Sequence, residues 1–86
     1  MTESRLSSIA LRPATGADDR VLAALSELDS APRLGRPAML ALVDQAPVAA
    51  ISLDDGRVVA DPFHRTQEVV DMLRVQRCAS RARAAA

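Results

Sequence analysis

The chain has no lysine, no tryptophan and no tyrosine, and in 86 residues it has one phenylalanine, one cysteine and three glycines. Each shortage removes a class of chemistry. Without lysine there is no Schiff base, no lysine general base and no phosphate-loop lysine. Without tyrosine there is no phenolic general acid. Cys78 stands alone, so neither an intramolecular disulfide nor a cysteine-based metal site can form, and a lone thiol suits a reducing compartment. Long apolar runs are missing too. The longest is cut by Asp44 and Gln45, far short of the ~20 residues of a membrane span. The opening Met1-Thr2-Glu3-Ser4-Arg5 lacks the apolar core of a signal peptide. The expectation is a soluble, cytoplasmic protein with no membrane partner.

What is present is alanine and arginine. Of the apolar residues, 17 are Ala and 24 are Leu, Ile, Val, Met or Phe. That is a thin core for one small domain, and self-association is a natural way to enlarge it. Formal net charge is zero, but residues 1–64 carry six Arg against nine acids, and residues 65–86 five Arg against two. Arg74, Arg77, Arg81 and Arg83 give the C-terminal helix a basic end. It reads first as a solvated helix terminus, where cations are favoured, and only second as a nucleic-acid contact.

Pattern divides the chain into a polar lead-in (1–7), a folded part (8–78) and an Ala/Arg-rich tail (79–86) expected to fray. Ile9 to Arg12 suits a short strand ended by Pro13. Thr15 is an N-cap with Asp18 three residues on, and Val21, Leu22, Leu25 and Leu28 recur at helical spacing, predicting a helix over 16–29. Ser30 to Pro37 is a loop. Met39–Val43 and Val48–Leu53 are strand-length runs joined through Asp44-Gln45-Ala46-Pro47. Asp54-Asp55-Gly56 signals a second hairpin turn, with Arg57–Ala60 as the strand that follows. Thr66 can cap a last helix with Val69, Val70 and Leu73 on its apolar face and Met72 flanking. The expected fold is α+β, a four-stranded antiparallel meander in the order β-α-β-β-β-α.

Three stretches carry a family resemblance. They are Leu11-Arg12-Pro13-Ala14-Thr15-Gly16-Ala17-Asp18, Leu42-Val43-Asp44-Gln45-Ala46-Pro47-Val48-Ala49-Ala50, and Val59-Ala60-Asp61-Pro62-Phe63-His64-Arg65. Over about residues 8–77 the pattern resembles the N-terminal half of a GNAT acetyltransferase. The resemblance implies acetyl-CoA held after Arg65 by a Gly-x-Gly loop at a helix N-terminus. This chain has Thr66-Gln67-Glu68-Val69-Val70 there, with larger side chains at every small position and a carboxylate facing the diphosphate. The resemblance therefore implies a truncated, non-catalytic domain with a degenerate cofactor loop.

No catalytic and no metal-binding residue is assigned. Asp54-Asp55 reads as an exposed turn rather than a carboxylate pair. His64 with Asp61 reads as a loop rather than a general base, and Cys78 has arginines but no base beside it. Phe63 is expected to plug the core or a subunit contact. Arg57–Ala60 lacks the neighbour strand of the complete family fold, and an uncovered edge is a template for a second chain. The leading expectation is a self-associating or protein-interaction module, a homodimer formed through this last strand edge and the C-terminal helix, with Val58, Val59, Phe63, Val69, Met72 and Leu73 as core or contact. The first alternative is a minimal acetyltransferase completed by a second chain, with acetyl-CoA on Arg65 and the amides of Gln67, Val69 and Val70. The second is nucleic-acid binding through the Arg-rich helix.

Overall fold

A computed structural model describes residues 8–64 and 66–85, with side chains as far as residue 81. The elements are β1 (Ile9–Pro13), a tight helical turn (Gly16–Asp18) running into α1 (Asp19–Leu28), β2 (Ala38–Val43), β3 (Ala46–Ser52), β4 (Val58–Ala60) and α2 (Gln67–Ala85). The four strands form one antiparallel sheet in chain order. This is the α+β meander that the pattern predicts.

Strand side chains alternate between faces, and the sheet uses both. Leu40, Ala50 and Val59 point toward α1 and pack with Leu22, Leu25 and Leu34. Met39, Ala49 and Ile51 point toward α2 and pack with Val69 and Leu73. Ala41, Ala49 and Ala50 are fully buried in the middle of the sheet. Their small side chains let a helix lie close on either face, which is how an alanine-rich chain builds a dense interior without aromatics. Leu34 is part of this core, although its surroundings read as loop. The buried Ser26 hydroxyl explains it. It donates to the Leu22 carbonyl (2.7 Å) and accepts the Leu34 N–H (2.9 Å), pinning the loop to α1.

The start of α1 is fixed by Asp18. Its carboxylate accepts the Thr15 N–H (2.8 Å) and a two-pronged contact from Arg12 (2.7 and 3.0 Å). The arginine of the Arg-Pro strand end thus bonds the helix that follows. Hydrogen bonding to Arg12 first, then to Thr15, holds the Asp18 carboxyl far below the usual carboxylate range.

The hairpins are narrower or wider than their sequences suggest. Asp44 (φ 53) and Gln45 (φ 71) alone make the β2–β3 turn, two successive left-handed residues whose twist matches the strands. Pro47 then lies within β3, tolerated by a register shift at Ala41/Leu42. The β3–β4 turn runs from Leu53 to Arg57, with Gly56 at φ +78.

α2 continues through Ala85, beyond residue 78, where the folded part is expected to end. Ala and Arg are strong helix formers, and two arginines anchor this end. Arg77 donates to the carbonyls of Leu53 (3.4 Å) and Asp54 (3.1 Å), and Arg81 to Asp54 (3.4 Å).

Candidate functional site

The junction of β4 and α2 is the first place to test. Asp61 turns the chain there. Its Oδ1 accepts the Phe63 N–H (2.8 Å) and its carbonyl accepts the His64 N–H (3.2 Å). His64 Nε2 lies 3.6 Å from Asp61 Oδ2, near but beyond a short hydrogen bond. The turn throws Phe63 outward, 82% exposed, so of its two expected places, core or subunit contact, it does not take the core. Arg65 lies outside the described residues. The Val70 N–H is already bonded to the Thr66 carbonyl (2.8 Å), which starts α2. Val69 is buried in the core, and Gln67 and Glu68 are exposed in the first turn. Of the amides expected to face a diphosphate, that of Val70 is therefore committed to the helix.

The other candidates are resolved by similar geometry. The Asp54 and Asp55 N–H groups donate to the Ser52 hydroxyl, and Asp55 accepts the Arg57 N–H (2.9 Å). That backbone bond, with help from Ser52, lowers the Asp55 pKa. The two acids build a turn. Among the described residues no group of three or more His, Cys, Asp or Glu is placed to hold a metal, and no helix is long and apolar enough to cross a membrane. Cys78 is exposed beside Arg74 and Arg77. The basic helix end is not simply solvated. Arg77 and Arg81 bind turn carbonyls, and Arg74 stands 4.0 Å from Asp71.

The six residues expected as core or contact divide between inside and outside. Val59, Val69 and Leu73 are buried, Val58 is half-buried, and Phe63 and Met72 (41% exposed) face outward at different places. Adjacent strand residues necessarily point to opposite faces, which separates Val58 from Val59.

The two sheet edges are also unlike one another. Cross-strand bonds from Ser52 N–H to Arg57 carbonyl and from Asp61 N–H to Val48 carbonyl place the polar groups of Val59 toward β3 and those of Val58 and Ala60 outward. The outward Ala60 N–H is taken by Asp29 Oδ2 (3.2 Å) at the end of α1. Arg57 reaches the carbonyls of Pro32 (2.7 Å) and Arg33 (2.9 Å), strapping the α1–β2 loop beside this edge. The uncovered β4 edge read from the sequence is thus partly occupied, by a loop whose contacts are long-range and polar.

The β1 edge is the open one. Asp44 N–H to Ser8 carbonyl and Ala14 N–H to Ala38 carbonyl set the phase, leaving the N–H and C=O of Ile9 and Leu11 outward. Among the described residues nothing bonds them. Neither helix covers β1 well, because α1 lies over β3 and β4 and α2 over β2 and β3. Ile9 is 39% exposed, Val75 of α2 is 69% exposed, and Leu11, Met72, Val75 and Gln76 line an apolar groove of about 330 Å³ between β1 and α2. Pattern alone hid this surface, because Ile9 and Leu11 read equally well as core. Comparison with family models, curated proteins and solved structures returns no match.

Proposed function

We propose that this chain is a non-catalytic, self-associating module, a small α+β domain related to the N-terminal half of the GNAT acetyltransferases. The kinship rests on the three sequence stretches and on the meander order, with α1 and α2 on opposite faces of the sheet. The non-catalytic reading rests on the first turn of α2, where Val69 is core, Glu68 brings negative charge and the Val70 amide is spent inside the helix.

One observation carries the self-association. A strand whose outward polar groups have no partner among the described residues lies beside an exposed apolar groove, so hydrogen bonds and hydrophobic burial are available at the same place. In this reading the C-terminal helix contributes Met72, with Val75 beside it, to the contact. The strand changes, from β4 to β1.

Light scattering coupled to size exclusion at micromolar concentration tests the reading. A dimer is expected, and a sharp monomer of 9.1 kDa across the concentration range rejects it. Calorimetric titration with acetyl-CoA tests the non-catalytic part. No heat is expected, whereas saturable binding would return Arg65 and the α2 amides to a cofactor role.

A further inference from the structure

Resting on the self-association proposed above, we infer that the partner at the β1 edge is a second copy of this chain, joined by antiparallel β1–β1 pairing about a two-fold axis at Ala10. The polar groups that face outward are the N–H and C=O of Ile9 and Leu11, together with the C=O of Pro13, which accepts from Arg12 Nη1 (3.4 Å). A two-fold at Ala10 sets Ile9 of one copy opposite Leu11 of the other. Each N–H then meets a C=O, and all four outward groups of Ile9 and Leu11 in each copy find partners. Moving the axis to Leu11 sets Ile9 against Pro13, which has no N–H to give, so the Ile9 C=O is left without a partner and the Ile9 N–H must share the Pro13 carbonyl that Arg12 already contacts at 3.4 Å. Ala10 at the axis is small and exposed, and it occupies the non-hydrogen-bonded position, where the two backbones come closest.

The side chains agree with the backbone. Ile9 and Leu11 lie on the α2 face, so the pairing sets each against the other across the axis as apolar neighbours. The axis runs through the sheet, so both α2 helices end on the same side of one eight-stranded sheet. Their grooves, each lined by Leu11, Met72 and Val75, then open toward one another. The contact is isologous, the commonest form of a closed homodimer.

The test is disulfide trapping in the full chain, with Cys78→Ser removing the exposed native thiol. Across a non-hydrogen-bonded pair the Cα atoms are about 4.5 Å apart, within disulfide reach. Ala10→Cys is therefore expected to give a covalent dimer on mild oxidation. Ala24→Cys, on the exposed side of α1, is expected to remain unlinked. A second variant, Ile9→Pro, removes an outward N–H without touching the β1–β2 ladder. It is expected to keep its circular dichroism and to raise the dimer Kd by about tenfold or more. A dimer that fails to link through position 10 and is indifferent to Ile9→Pro overturns the edge pairing while leaving self-association standing. A monomeric parent chain overturns both.

Discussion

Arg12, Thr15 and Asp18 show how three residues join a strand to a helix. The Asp18 carboxylate gathers the Arg12 guanidinium and the Thr15 amide, and it gives up its negative charge only in strong acid. In the unfolded chain the same carboxyl takes a proton near pH 3.9. The contact therefore stabilises the fold fully above about pH 5 and is lost progressively as the pH falls through that value toward the depressed folded one. Asp18→Asn is expected to lower Tm at neutral pH. The gap to the parent protein should shrink between about pH 4 and pH 2, as followed by thermal circular dichroism. Ser26 works by burial instead. Ser26→Ala strands the buried Leu34 N–H and is expected to cost about 1–3 kcal/mol in urea unfolding. Neither partnership is visible in composition. Thr15 and Asp18 announce themselves as a cap, but Arg12 reads as one more surface arginine, and a serine on the inner face of a helix gives no sign of what it holds.

At the scale of elements, α2 and the β3–β4 turn stabilise each other. Gly56 has a left-handed backbone, and a Cβ there would sit 2.9 Å from the Arg77 guanidinium. Gly56→Ala is therefore expected to destabilise by about 1 kcal/mol or more, through backbone strain and by displacing Arg77. Replacing Arg77 and Arg81 together by Ala should leave the sheet intact and loosen the end of α2. Faster amide exchange confined to about residues 78–85 would register this, whereas uniform acceleration across the domain would contradict a local anchor. The order of elements was legible because apolar period, turn residues and caps agree along most of the chain. The persistence of α2 was not, because its anchors are carbonyls of a turn more than twenty residues away. Phe63, the only aromatic of the sequence, reads as core or contact for a different reason, its hydrophobicity. Its exposure follows from the Asp61 turn, a local bond that outweighs hydrophobic expectation.

At the scale of the molecule, the two margins of the sheet decide what the protein can become. The margin at β4 holds a carboxylate on its outward amide and an arginine strap beside it, while among the described residues the margin at β1 holds neither. Sequence could count the strands but could not rank the margins, since Asp29 and Arg57 read as ordinary polar residues. Replacing both by Ala should bare the β4 margin. Static light scattering is then expected to show species larger than a dimer that grow with concentration, and a mass fixed at two copies would mean that the margin is blocked by other means. A particle that adheres on one flank alone cannot polymerise. In a pair joined as proposed, each β1 flank is used up, and the flank left outward has its Ala60 amide held by Asp29. Asp29 and Arg57 would then act as chain terminators, and the difference between a finite pair and a growing fibre would come down to one carboxylate and one guanidinium.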